Sequence, residues 1–424
     1  MKIKELKNEL LGESYFNIDH PSGLKLLLFP KKKYASTYAL FATKYGSIDT
    51  RIEAQNGSFY DIPEGTAHFL EHKLFESEDL DAFERFAKTG ASANAYTSFD
   101  KTAYLFSCSD NFNENLEILL DFVQSPYFTS ETVLKEQGII GQEIRMYRDV
   151  PDWEVMFNLL RILYRKHPVR IDIAGTEESI AQITADTLYD CYRNFYTLGN
   201  MVLAVAGNFE TQEVISIVDR LAKQPKGKAA KREFVPESPI PINSYIEETL
   251  AVAMPQFMLG YKEDIKTPER TEKERIESEI LLEIIAGKSS QLYKDLLDEE
   301  LINTGFSSEY FEGFGYSAFL MGGTSANPVE AEKRIRKYIK ELKESGISEA
   351  DFERARRKYY GRLVMMFNDV DDIANTLVSK HFVNGEIFAD ADIIKSLTLS
   401  DINERFSQVF DDRYCALSVI KGEE

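Results

Sequence analysis

Apolar and polar positions along the chain fall into two similar successions. In the first, a short β-branched and aromatic run, Thr102–Cys108, precedes a stretch from Asn113 to Val123 with apolar residues three and four apart. Such a run predicts a strand and such a spacing an amphipathic helix. A second helix is predicted around Thr132–Tyr147, and the succession closes on the apolar strand Met201–Ala206, ended by Gly207. The second succession repeats the order: strand Ser317–Gly323, helix from about Val329 to Glu344, helix about Ala350–Met366, then strand Cys415–Ile420 with Gly422 nearby. The same order read twice implies an internal duplication whose side chains have diverged. Runs bracketed by helices imply α/β layering, with helices on a mixed or antiparallel sheet.

Between the successions lies Lys223–Ile242, with four prolines, a basic cluster and no apolar period. Proline removes amide donors and blocks helix, so this segment is expected to be an extended tether over the surface. The domains are accordingly 1–222 and 243–424, joined by a linker at 223–242. That division suits a length of 424 residues, too many for one ordinary core.

Composition narrows the function. An apolar fraction of 43% is enough for two cores. The formal charge of −20 argues against a general nucleic-acid binder, which needs a basic footprint. No apolar run approaches the ~20 residues needed to cross a bilayer, and the charged start Met1–Asn8 has no apolar leader segment, so no membrane or secretory role is expected. Cys108, Cys191 and Cys415 are odd in number, far apart and outside any C-x-x-C spacing. They read as buried apolar residues of a reducing compartment, and a cytoplasmic address is expected.

Five histidines occur, and two of them share one segment, Gly65-Thr-Ala-His68-Phe-Leu-Glu71-His72-Lys-Leu-Phe75. Four residues apart on a helix, His68 and His72 lie one turn apart on one face and can reach the same cation. Glu71 falls beside them, where a carboxylate can take a proton from an attacking water. Phe69 and Leu70 are expected to bury the helix. His20, His167 and His381 have no such pairing and read as structural or surface residues. A catalytic zinc wants a third protein ligand. The helix around Thr132–Tyr147 offers Glu136 and Glu143, two turns apart on one face, while Ile139, Ile140 and Ile144 are expected to put it in the core.

In this order, H-x-x-E-H followed about seventy residues later by Glu143, with Glu136 seven before it, resembles the inverted-motif zinc peptidases of the insulinase/pitrilysin family, peptidase family M16. The resemblance extends over essentially the whole chain, through Gly175–Ile180, Asn200–Gly207 and Asn94-Ala95-Tyr96-Thr97, which is similar to the family's Asn-Ala-(Tyr/Phe)-Thr edge strand. The Glu71-His-Lys-Leu-Phe75 run resembles cytoplasmic members from Gram-positive bacteria. The resemblance implies an α+β clamshell of two homologous α/β-layered domains, each a mixed, mostly antiparallel sheet packed with helices. It implies one Zn2+ per chain, on His68, His72 and Glu143, with Glu71 as general base and Glu136 supporting the site. Phe75 and Tyr96 would wall the pocket beside the cleaved bond, while Asn94 and Ala95 would hold a peptide substrate by β-augmentation.

The second half has no H-x-x-E-H, and where the metal helix would recur, Arg275–Ala286 carries Leu and Ile. This half is similar to the family's inactive duplicated domain. Family members with an Arg and a Tyr seven residues apart in this half would place them at Leu297 and Thr304 here, with Tyr310 off register. The resemblance therefore implies either a heterodimer with a homologous chain that lacks H-x-x-E-H, or a homodimer. A peptidase-derived scaffold that binds peptides without turnover is the alternative.

Overall fold

The computed structural model describes residues 1–53, 57–78, 80–223, 227–228, 231–233 and 236–423. Its contacts divide into two compact units, 1–142 with 172–233 and 364–389, and 143–171 with 234–363 and 390–424.

The first unit is built on strands β1 (Lys2–Asn8), β2 (Glu13–Asp19), β3 (Lys25–Pro30), β4 (Thr37–Thr43), β7 (Ser92–Thr97), β8 (Thr102–Cys108) and β9 (Met201–Gly207), with a small separate hairpin of β5 (Arg51–Glu53) and β6 (Phe59–Asp61). The order across the main sheet is β1-β2-β3-β9-β4-β8-β7, antiparallel throughout except between β3 and β9. The second unit has β10 (Tyr245–Thr249), β11 (Gln256–Lys262), β12 (Ser307–Gly313), β13 (Tyr316–Thr324) and β14 (Cys415–Lys421). Their order is β10-β14-β11-β13-β12, again with one parallel pair, β10 with β14. The five strands β3-β9-β4-β8-β7 and these five match one for one in chain order and direction. The duplication read from the apolar pattern is thus present in the topology, and the fold is α+β with two mixed, mostly antiparallel sheets.

The helices that follow one another along the chain are α1 (Thr66–Leu74), α2 (Ala82–Thr89), α3 (Phe112–Val123), α4 (Ser130–Arg148), α5 (Pro151–Leu163), α6 (Glu177–Ile180), α7 (Ala185–Phe195) and α8 (Thr211–Leu221). After β11 come α9 (Glu272–Ala286), α10 (Gln291–Asp298), α11 (Pro328–Ser345), α12 (Glu349–Met366), α13 (Val370–Phe382), α14 (Ala389–Ser396) and α15 (Leu399–Gln408). All the elements expected from the apolar pattern are present within a few residues of their expected ends.

The halves of the sequence exchange a helix. Helix α5, from the first half, packs on β11 and β14 in the second unit. Gly260 of β11 makes room for it, since a Cβ there would meet the Leu159 and Leu163 methyls at 2.9 Å. Leu159, Leu160 and Leu163 are fully buried, each contributing roughly 1.5–3 kcal/mol by area. Helix α13, from the second half, packs on β3, β4 and β9 in the first unit. The exchange moves 143–171 and 364–389 across the boundaries expected at 222 and 243.

The linker is less loose than its prolines suggest. Within the first unit, Arg232 pairs with the buried Asp49 at 2.5 Å and donates to the Asp100 carbonyl at 2.8 Å. Within the second, the Glu237 carboxylate accepts the backbone N–H groups of Arg165, Lys166 and His167. Residues 224–226, 229–230 and 234–235 of the expected linker lie outside the described residues. Ile139 also departs from expectation. It is 45% exposed, whereas Ile140 and Ile144 are buried, because the core-facing stripe of α4 is narrower than its run of isoleucines.

His167 is structural, as its isolation in the sequence suggests. Its Nδ1 accepts from Val169 N–H at 3.1 Å and its Nε2 lies 2.9 Å from the Phe314 carbonyl, which fixes the neutral tautomer with the proton on Nε2. Burial pushes its pKa from 6.5 down to about 4. The unfolded chain therefore takes up a proton at higher pH than the folded one. Stability from this group is complete above about pH 6.5 and is lost as pH falls toward 4, by on the order of 3 kcal/mol. In urea melts between pH 7 and 4.5, His167→Gln is expected to flatten the acid-side slope by up to about one proton. An unchanged slope would show that this imidazole does not drive the acid sensitivity.

Candidate metal centre

Helix α1 carries the H-x-x-E-H residues, and its start is built from backbone constraints. Gly65, the N-cap, has φ of 84° and sits so close to the Ala174 carbonyl that any Cβ would collide with it. Ser179 of α6 donates to the Glu64 carbonyl at 2.9 Å, and Thr176 caps α6 with a reciprocal Ser179 pair. The Gly175–Ile180 stretch therefore buttresses the entry of α1. Phe69 and Leu70 are fully buried, as expected, and anchor the helix against the sheet.

His68, His72 and Glu143 each bring a ligand atom to one place, all within 4.8 Å of one another. Neighbouring ligands of a tetrahedral zinc lie about 3.3 Å apart, given bonds of about 2.0–2.1 Å. The donors thus converge to within a small contraction of such a site, and two imidazoles with one carboxylate form a typical catalytic zinc set. Gln142 and Glu143 are consecutive on α4, so the division between the units passes through this continuous helix.

Glu136 lies two turns before Glu143 on the same face of α4, only 7% exposed, with Oε1 3.0 Å from His72 Nδ1. An ionised carboxylate only accepts, so Nδ1 carries the proton and Nε2 keeps its lone pair for a ligand. Burial, with the nearby His72 charge adding to it, pushes the His68 pKa down to about 3, which keeps this imidazole neutral as a ligand must be. Glu71 is outside the converging set. It is 9% exposed, and its Oε2 accepts the Thr97 hydroxyl at 3.0 Å. Buried Tyr104 and Tyr196, whose hydroxyls are 2.9 Å apart, have pKa values raised by burial and, to a lesser degree, by the Glu71 charge. They form part of a low-dielectric surround for this carboxylate.

Asn94, Ala95 and Tyr96 are in β7, which with β1 forms the edges of the seven-stranded sheet among the described residues. Strand parity divides them. Ala95 and Thr97 face α1, and Asn94 and Tyr96 face the side covered by α13. Tyr96 there donates to Asn375 Oδ1 at 2.8 Å, and Asn375 in turn lies 3.3 Å from the Tyr38 hydroxyl. Phe75 is on the α1 side, 6% exposed and stacked on Phe83 and Phe122 at 4.1 and 5.1 Å between ring centroids. Thr97 and Asn375 were not singled out from the sequence. Parity along Asn94–Thr97 carries the signal for Thr97, but nothing local marks Asn375.

In the second unit, α9 holds the place of α1 and presents the buried Ile280, Leu281 and Ile284. Leu297 is on α10 and Thr304 in the exposed turn after it. Tyr310 donates to Glu263 at 2.6 Å, which also accepts Ser317 and the buried Arg405.

Two family models match the chain: "Insulinase (Peptidase family M16)" over residues 49–177 and "Peptidase M16 inactive domain" over 182–359. The chain is 40% identical over 427 residues to the uncharacterized zinc protease YmfH of Bacillus subtilis (strain 168), covering 99% of both chains. The chain belongs to peptidase family M16. An M16-like peptidase from Alicyclobacillus acidocaldarius shares the M16 fold seen here with a TM-score of 0.92 and 36% identity, over 100% of this chain and 99% of that one. A protease from Helicobacter pylori superposes with a TM-score of 0.83 over 96% and 99% of the two chains, and at 21% identity its likeness concerns the fold. Among the described residues of this M16 chain, no helix is long and apolar enough to cross a membrane.

Proposed function

We propose that this chain is a zinc metallopeptidase, with zinc on His68, His72 and Glu143 and Glu71 as general base. The observation that carries the reading is the convergence of those three side chains beside a buried carboxylate outside their set. Zinc in such a site lowers the pKa of a coordinated water toward about 7 and polarises a carbonyl. Glu71 takes the proton of the attacking water and returns it to the leaving amine. Glu136 holds His72 in the ligating tautomer. The free edge of β7 pairs with the substrate backbone at Asn94 and Ala95, which reads extended peptide more than side chains. Phe75 and Tyr96 stiffen the surround of that strand, and the duplicated half, 243–424, contributes no metal. Three free, buried thiols fit a reducing compartment such as the cytoplasm.

The reading includes a partner. Leu297 cannot donate to a developing oxyanion, Thr304 is a short side chain on an exposed turn, and the Tyr310 hydroxyl is engaged by Glu263. Donors aimed at that oxygen are each worth about 10²–10³ in rate. A related chain without H-x-x-E-H would supply them in a heterodimer. The test is peptide cleavage by the zinc-loaded chain, with and without 1,10-phenanthroline, alone and with a homologue from the same organism. We expect chelator-sensitive cleavage that rises at least about tenfold with the homologue. Full activity alone would remove the partner, and no cleavage in either state would favour a peptide-binding scaffold.

A further inference from the structure

We propose that Thr97 is the positioning residue of the general base, its hydroxyl holding the Glu71 carboxylate in the one rotation that can take a proton from water. The inference rests on the peptidase reading above and adds a residue to it. A carboxylate at the end of a flexible side chain turns easily about its last bond, where the torsion is broad and two-fold. A general base needs that rotation fixed. Thr97 Oγ1 is 3.0 Å from Glu71 Oε2 and 3.5 Å from Thr102 Oγ1. A threonine hydroxyl has one proton, and that of Thr102 goes to the Tyr45 carbonyl at 2.9 Å. Ionised Glu71 can only accept, so the Thr97 proton is directed at it.

The donor is itself held rigidly. Thr97 is β-branched and stiff at χ1, and it closes the β7–β8 hairpin opposite Thr102. The turn after it is pinned four ways. Ser98 N–H donates to the Lys101 carbonyl at 2.8 Å, and the Ser47 and Ile48 amides donate to the Ser98 and Phe99 carbonyls at 3.0 Å each. Arg232 donates to the Asp100 carbonyl at 2.8 Å. Because Thr97 ends the strand proposed to bind substrate, the register of the peptide and the aim of the base are set by one backbone segment.

The experiment compares zinc-loaded wild type with Thr97→Val, which keeps shape and loses the hydroxyl, and Thr97→Ser, which keeps the hydroxyl. Thr97→Val is expected to lower kcat about 10- to 100-fold with KM within about twofold, the scale of a misplaced reacting group. Thr97→Ser is expected to recover most of that loss. Zinc affinity, measured by competition with a chromophoric chelator, and melting temperature should not change in either variant. A second readout is the affinity of N-acetylphenylalanine hydroxamate, which binds zinc and hydrogen-bonds the base. It should weaken about tenfold in Thr97→Val and return in Thr97→Ser. Equal hydroxamate affinity in Thr97→Val and wild type overturns the proposal, as does a Thr97→Ser as impaired as the valine variant. Loss of zinc from Thr97→Val also overturns it, since the hydroxyl would then be holding the metal helix. Absence of cleavage by wild type overturns the peptidase reading instead, and the hydroxamate comparison still decides the role of Thr97.

Discussion

Glu71→Gln is expected to reduce peptide cleavage by about 10²–10⁴-fold, the range for removal of a positioned general base, while the chain still binds one zinc. The substitution changes little except proton affinity. Glutamine has the shape of glutamate, and its carbonyl oxygen can keep the Thr97 hydroxyl bond seen at 3.0 Å. Glu71 is not among the three residues whose ligand atoms converge, so its loss should leave the donor set whole. The expected phenotype is a near-normal KM with kcat close to background, measured on protein whose zinc content is determined by mass spectrometry. A Glu71→Gln protein that is fully active, or one that is free of zinc, would show that the roles assigned to Glu71 and Glu143 are wrong.

How much of this was legible in the sequence follows from the range over which each feature is encoded. The H-x-x-E-H spacing is local, and a single turn within α1 converts it directly into two imidazoles on one face. The duplication was legible for a similar reason, because Thr102–Cys108 and Ser317–Gly323 are both interior strands whose continuous apolar runs stand out from their surroundings. At sheet edges, β1 is exposed over its first four residues and β10 alternates exposed and half-buried positions, and such weak patterns did not reveal them. Apolar spacing in α5 and α13 says that each has a buried face and not which sheet it meets. The helix exchange was therefore invisible, and with it the contact between Tyr96 and Asn375, 279 residues apart. Ile139 shows the converse limit. An isoleucine next to a core isoleucine on a helix points about 100° away, and in α4 that direction is solvent.

The expected order of zinc affinities separates the two acids of α4, which the sequence alone leaves alike. Glu143 contributes a ligand atom, so Glu143→Gln replaces an anionic donor with a neutral amide and removes one of three protein ligands. Glu136 touches His72 rather than the converging set. Glu136→Gln can still accept the Nδ1 proton, but it loses the charge that raises the basicity of the ring. Partners of this kind typically cost about 10- to 100-fold in metal affinity. Loss of a ligand should exceed that, and Glu71→Gln should fall near wild type. Competition with a chromophoric chelator at pH 7.5 measures all four proteins on one scale. The expected order of affinity is wild type and Glu71→Gln, then Glu136→Gln, then Glu143→Gln. Were Glu136→Gln to lose more zinc than Glu143→Gln, the carboxylate 3.0 Å from His72 would be the ligand in solution and Glu143 its support.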